Sequence, residues 1–260
     1  MKESFIPEQS PQVIDKTSLE LLFLGTGNAF SMAGRYWGAI LVNNHILFDC
    51  SPVVVPHMKK LERNPSELKY IFITHFHADH FFGLPFLLLD YAYLTCPEHP
   101  LNIIGPSNIE NIITRATDLG FPGVAEKLKD KLKISYFEIE APGTFTVSGL
   151  KFDAIPMEHG TVSAFGYKIE LRGNAVGYTG DTDLCAGVYD LAEKTDILII
   201  ELSNPYDDVP GHMSLGKVQK LQEQLPSKTK LILNHVGPIT EPLPANPNLF
   251  MPNDLDVLRF

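Results

Sequence analysis

Cysteine is scarce in this sequence. Cys50, Cys96 and Cys185 are far apart and form no C-x-x-C pair. An odd, dispersed set excludes a disulfide-built scaffold and points to reduced thiols, with the cytoplasm as the plain expectation. Long apolar runs are missing too. The most hydrophobic stretch, Phe81 to Leu94, is interrupted by Pro85 and Asp90 and is too short to span a bilayer, so a buried helix is expected there. The segment Met1 to Glu20 lacks an apolar core, which leaves neither a signal peptide nor a membrane anchor in view. Basic charge is also short: 21 Lys and Arg stand against 31 Asp and Glu, for a net charge of -10. Such a field repels polyanions and makes nucleic acid a poor default partner, although bound divalent ions would reverse the balance locally.

With 44% apolar and 20% charged residues the chain reads as an ordinary globular protein, and 260 residues fit one main domain. Residues 1–18 mix Pro, Ser, Lys and Glu without periodicity and read as an N-terminal extension, leaving 19–260 as the domain. Strands are expected over 19–24, 39–42, 45–49 and 70–74, with a helix capped by Ser51 and Pro52 running to about Arg63. Helices over 86–93 and 108–119 flank a strand over 101–104. Short β-prone runs between 132 and 170 suggest a second, antiparallel block. Strands at 175–178, 196–200 and 230–233 then alternate with helices at 187–193 and 214–225.

The densest chemistry lies at Thr74-His75-Phe76-His77-Ala78-Asp79-His80, directly after a strand. His75 and His77, two apart on extended chain, point the same way, and Asp79 and His80 lie beyond the turn, so two neighbouring metal positions follow. Imidazole and carboxylate donors suit Zn²⁺ best, with Mn²⁺ or Fe²⁺ as substitutes. His159, Asp181 and His235 each end or follow an expected strand. Singly they read as ordinary capping residues; beside the first motif they supply the further ligands a two-metal site needs.

These segments resemble the metallo-β-lactamase fold superfamily and, within it, the ribonuclease Z-like phosphodiesterases. The resemblance rests on Leu21 to Gly27, Phe72 to His80 with Gly83-Leu84-Pro85, Ile104-Gly105-Pro106, His159-Gly160 with Ala164 to Tyr167, Thr179 to Thr182, Gly211 to Ser214, and Leu231 to His235. It implies an α/β fold in four αββα layers, two mixed sheets with helices outside. It also implies His75, His77 and His159 on one metal, Asp79, His80 and His235 on the other, and Asp181 between them. His212 matches the position of a general acid, a task an imidazole suits, and Glu201 the position of the carboxylate that orients it. Asp79 is a further candidate, as acceptor of the proton released by the attacking water. His45, His57 and His99 match no motif and are expected on the surface.

The resemblance has two gaps. The long arm that grips tRNA in ribonuclease Z is absent, since Gly166 to Asn174 leaves room only for a hairpin turn before the Asp181 strand. After His235 the family's polar, Arg-containing segment is replaced by Val236-Gly237-Pro238 and a Pro-rich stretch to Pro252. The run Lys127 to Lys133 alternates lysine with leucine and aspartate, as the solvated face of a helix end does. The expectation is therefore a dinuclear phosphodiesterase for a small diester such as a cyclic nucleotide, with no membrane partner. Phe81, Phe82, Phe121 and the Pro-rich segment are candidates to line or cover its pocket, with buried core the stronger expectation for any one of them. The resemblance also implies a homodimer contact through the apolar helix after His80. The competing expectations are a tRNA 3′-end endonuclease, a lactone or thioester hydrolase, and a non-catalytic binding protein.

Overall fold

Every residue of the segments 39–42 and 46–48 is buried, which a sheet achieves only when both its faces are covered. A computed structural model of the chain describes residues 18–243 and 245–260, so the N-terminal extension lies, except for Ser18, outside the described residues. The first half of the chain runs β1 (Glu20–Gly25), β2 (Ala39–Val42), β3 (Ile46–Phe48), α1 (Val54–Lys60), β4 (Tyr70–Phe72), α2 (Ala78–Phe81), α3 (Gly83–Tyr93), β5 (Leu101–Pro106), α4 (Ile109–Gly120), α5 (Val124–Leu128) and β6 (Ile134–Ile139). The second half runs β7 (Gly143–Val147), β8 (Leu150–His159), β9 (Val162–Leu171), β10 (Asn174–Tyr178), α6 (Ala186–Glu193), β11 (Ile197–Leu202), α7 (Leu215–Gln222), β12 (Lys230–Val236), β13 (Leu249–Phe250) and β14 (Val257–Arg259).

The described residues form two sheets of seven strands, ordered β14-β1-β2-β3-β4-β5-β6 and β13-β12-β11-β10-β9-β8-β7. Each is mixed: β3 to β6 are parallel, as are β10 to β13, and the remaining neighbours are antiparallel. Phe23, Phe48, Phe72, Phe152, Tyr167 and Tyr178 fill the space between the sheets. A second apolar layer joins the first sheet to α1, α3, α4 and α5, and a third joins the other sheet to α6 and α7. The result is the expected four-layer αββα sandwich.

Several local expectations need correction. Ser51 does not cap α1. Its hydroxyl donates to the Trp37 carbonyl, and the helix starts only at Val54. Residues 134–139 are not part of the antiparallel block but pair parallel to β5 in the first sheet, because a short β-prone run carries no signal of its partner. The helix over 83–93 is buried on one face only. Leu84, Leu87, Leu88 and Tyr91 enter the core, whereas Phe86, Tyr93 and the following Leu94 are exposed. His57 is half-buried rather than on the surface, with Nδ1 against the Leu24 carbonyl. The Lys127–Lys133 run behaves as expected, with Leu128 and Leu132 buried and the lysines exposed.

The strands β13 and β14 are too short, at two and three residues, for periodicity to reveal them. They give the C-terminal segment a structural task. β14 extends the first sheet along β1, and Asp254 between them binds the Gly25-Thr26-Gly27 turn through Thr26 N and Oγ1 and also accepts from Tyr36 N. Among the described residues, no helix is long and apolar enough to cross a membrane.

Candidate metal centre

β8 and β10 flank β9 antiparallel, and β10, β11 and β12 run parallel, so the C-terminal ends of β8, β10, β11 and β12 share one edge. His159 ends β8, Asp181 follows β10, Glu201 lies near the end of β11, and His235 lies in β12. Across from them, β4 ends at Phe72 and delivers Thr74 to His80 into the same space. A bulge aims His235: the register passes from Glu201–Asn234 to Leu202–Val236, and His235 takes φ of 49°.

This convergence brings all seven expected ligands together. His75, His77 and His159 form one group of donor atoms within 4.8 Å of one another, and Asp79, His80 and His235 form a second. Asp181 joins His75 and His80 in a third, and therefore lies between the other two. His159 Nε2 is 3.1 Å from His77 Nδ1, His235 Nε2 is 3.1 Å from Asp79 Oδ2, and His80 Nε2 is 3.4 Å from both Asp79 Oδ2 and Asp181 Oδ1.

The unpaired atoms test whether metal ions fit. His75 Nε2, His80 Nε2 and Asp181 Oδ1 are buried without a hydrogen-bond partner, an expensive state for polar atoms unless a cation takes their lone pairs. The opposite ring nitrogens are all engaged. His80 Nδ1–H donates to Asp49 Oδ2 at 2.8 Å and His159 Nδ1–H to the Gly211 carbonyl at 2.9 Å. The Thr74 hydroxyl donates to Asp49, so it accepts from His75 Nδ1–H at 3.0 Å. His235 Nδ1 meets Ser203 Oγ at 2.8 Å. Each contact selects the tautomer whose Nε2 lone pair faces the cluster, which is how ligand histidines are oriented. The donor set fits two divalent ions.

The electrostatics divide the histidines, with His75 neutral and His80 and His235 holding a proton until an ion replaces it. Burial, with His80 beside it, holds His75 well below the ordinary imidazole pKa, so its lone pair is free. Burial also works against charge on His80, but Asp181 and Asp49 outweigh it and raise the pKa well above normal. His235 is raised against its burial in the same way by Asp181 and Asp79. A metal ion must therefore displace protons from His80 and His235, and affinity is expected to fall as pH drops, a trend that metal titration at several pH values would measure.

Asp49 is the residue the sequence reading missed. It is fully buried, takes φ of 55°, and accepts from Thr74 N, Thr74 Oγ1, His80 Nδ1 and Tyr178 OH. The available signal was a carboxylate ending the strand beside the motif strand. Asp49→Asn is expected to lower metal affinity about 10- to 100-fold, as loss of such a supporting carboxylate does, measured by chelator competition. Gly83 keeps this loop in place: a Cβ there would lie 2.1 Å from the Ser51 carbonyl oxygen and 2.6 Å from that of Cys50. Gly83→Ala is expected to destabilise the fold by about 1–3 kcal/mol, read as a drop in Tm.

His212 and Glu201 stand beside the cluster. Glu201, buried, accepts from His212 Nδ1 at 2.9 Å, Thr182 N at 2.8 Å and Ser203 N at 3.0 Å. His212 is half-buried. Burial works against its protonated form, but Glu201 and then Asp181 outweigh it and raise its pKa. Its donor atom also falls within ligand range of His159 and Asp181. Nδ1 is nevertheless committed to Glu201 and 4.0 Å from Asp181 Oδ2, which places His212 beside the metal positions rather than in them. Of the aromatic candidates, Phe81 is buried in the core and Phe121 stacks edge-on against Phe86, whereas Phe82 is 46% exposed. The link between β9 and β10 is the two-residue turn Arg172-Gly173, both with positive φ, so the chain carries no arm there.

A family model described as the anti-Pycsar protein Apyc1 matches residues 19–247. Ribonuclease Z of Methanosarcina mazei is 27% identical, over 84% of this chain and 88% of that protein. The crystal structure of the short form of human tRNase Z superposes with a TM-score of 0.72 at 22% identity, covering 92% of this chain and 98% of that one. A diphosphatase of the PhnP family also gives 0.72, at 18% identity, covering 94% and 97%.

Proposed function

The chain belongs to the family of the anti-Pycsar protein Apyc1, and on that premise we propose that it is a phosphodiesterase that uses two divalent metal ions to hydrolyse a small diester such as a cyclic nucleotide. One observation carries this reading: a complete set of seven converging His and Asp donors lies against an imidazole that a buried carboxylate holds by one nitrogen. When bound, the two ions would lower the pKa of water and polarise a phosphoryl oxygen. Their donor set favours Zn²⁺, with Mn²⁺ or Fe²⁺ as substitutes. His75, His77 and His159 would hold one ion, Asp79, His80 and His235 the other, and Asp181 both.

The remaining chemistry belongs to the protein. Glu201 fixes His212 by Nδ1–H, which leaves Nε2 to hand a proton to the leaving oxygen. Asp79 is a weaker choice as proton acceptor than as ligand. Burial works against its charge, yet hydrogen bonds from His235 and His80 prevail and hold it well below the usual carboxylate range. With His212 protonated as the acid, two dications would bring the positive charges to five against the four buried carboxylates of Asp49, Asp79, Asp181 and Glu201, so the loaded site would attract an anion despite the protein's negative field.

A small substrate is favoured by the Arg172-Gly173 turn, which leaves no arm to bind a folded RNA. The ribonuclease Z relatives favour a second reading, cleavage of precursor tRNA. The exposed Phe86, Tyr93 and Leu94 support a homodimer through α3. The reaction class is tested by assaying metal-loaded protein on an aryl phosphodiester, a lactone and a thioester. Hydrolysis of the diester above the others is expected. Preference for the lactone or thioester would move the site to carbonyl chemistry, and absence of these three activities, together with no cleavage of cyclic nucleotides or precursor tRNA, in protein holding two ions per chain would make it a binding protein.

A further inference from the structure

His212 is held by its ring through Glu201, but the backbone around it needs separate support. Residues 204–211 carry no helix or strand, and Gly211 takes φ of 83°. Two side chains meet this backbone on either side of the ring. Asp183 Oδ2 accepts from Gly211 N at 3.2 Å. Lys217, in the first turn of α7, donates to the His212 carbonyl at 2.8 Å and to that of Val209 at 3.5 Å. Asp183 Oδ1 and Lys217 Nζ are joined at 2.8 Å, with side chains only 29% and 15% exposed. A solvated surface pair would touch water rather than two carbonyls and an amide of one loop.

The other end of this pair is fixed to the metal centre. Asp183 N donates to the Glu158 carbonyl beside His159, and Asp183 follows Thr182, whose amide donates to Glu201. Asp181, Thr182 and Asp183 therefore contact, in turn, the metal cluster, the carboxylate that orients His212, and the backbone that carries it.

We propose that Asp183 and Lys217 are positioning residues that latch the His212 loop to the Asp181 segment, so that His212 Nε2 keeps a set distance from the leaving oxygen. The catalytic consequence rests on the phosphodiesterase reading above. The latch itself is a statement about the loop.

The test uses the full, metal-loaded chain and the variants Lys217→Met, Lys217→Arg and Asp183→Asn. Hydrogen exchange over residues 206–213 is expected to accelerate in Lys217→Met and Asp183→Asn and much less in Lys217→Arg, with metal content unchanged. For a diester with an alkoxide leaving group, kcat of Lys217→Met should fall on the order of tenfold to a hundredfold, the loss that a misplacement near 1 Å produces. The loss should be several-fold smaller for a nitrophenolate, and Lys217→Met should add almost nothing to His212→Ala. Unchanged exchange in Lys217→Met and Asp183→Asn would overturn the latch. Faster exchange with equal losses on both leaving groups, or with full additivity to His212→Ala, would overturn its link to proton transfer. If the wild type cleaves no diester, the phosphodiesterase reading fails and the exchange rates alone decide the latch.

Discussion

Asp181→Ala is expected to leave the chain with less than two ions bound and to lower diester hydrolysis by three orders of magnitude or more, roughly 4 kcal/mol of transition-state stabilisation. The reason is its place. Asp181 is buried, joins the donor group of His75 and His80, and turns Oδ1 to His80 at 3.4 Å and Oδ2 to His159 at 4.0 Å, one histidine from each of the other two groups. A shared ligand removed from the centre weakens both positions at once. His75 and His80 would then keep lone pairs in a buried space with less to bind them. The stability readout is separate from activity. Ligands that bind only the folded state stabilise it, by about 4 kcal/mol at a thousandfold excess over Kd, so chelation should lower the Tm of the wild type. In Asp181→Ala the gap between loaded and chelated protein should shrink. Metal analysis with scanning calorimetry checks both, and an unchanged two-ion content would remove Asp181 from the shared position.

His212→Ala is expected to lower kcat on a diester with an alkoxide leaving group by about 10²- to 10⁴-fold, the range general acids supply, and far less on a nitrophenolate that leaves without a proton. Metal content should not change, since His212 Nδ1 is spent on Glu201. Glu201→Gln is expected to do similar damage for an additional reason. The carboxylate takes three donors, from His212, Thr182 and Ser203, on two oxygens. An amide would turn its own N–H₂ toward one of those donors, at a cost of about 1–3 kcal/mol for the buried mismatch. The variant should therefore lose stability as well as kcat. Leaving-group dependence measured across a series of diesters reads this directly, and equal losses at both ends of the series would remove His212 as the acid.

The convergence of the seven candidate donors was legible because its signals are local or terminal: four donors packed into six positions after β4, then single His or Asp residues at or just beyond the ends of strands. The four layers followed from a resemblance to a fold with that order of elements, not from periodicity. Periodicity misassigned Ile134–Ile139 and could not see the strands of two and three residues at the C-terminus. What stayed hidden is whatever depends on three-dimensional meeting points. Asp49 is one carboxylate among many in sequence, and only the approach of β3, β4 and β10 turns it into the acceptor of four hydrogen bonds. Asp183 and Lys217 are 34 residues apart in the chain and carry no sequence signal of each other; only the fold joins them and sets both against the backbone of Gly211 and His212. The bulge at His235 is equally invisible, because one extra residue in a ladder leaves no mark on composition.

The most direct measurement of the central claim is a comparison of kcat/KM for a 3′,5′-cyclic nucleotide and for precursor tRNA, on one preparation carrying two metal ions per chain. Efficient opening of the cyclic diester with little or no tRNA cleavage is the expected result. Efficient tRNA cleavage with an inert cyclic nucleotide would contradict it and place the chain with the tRNA-processing relatives instead.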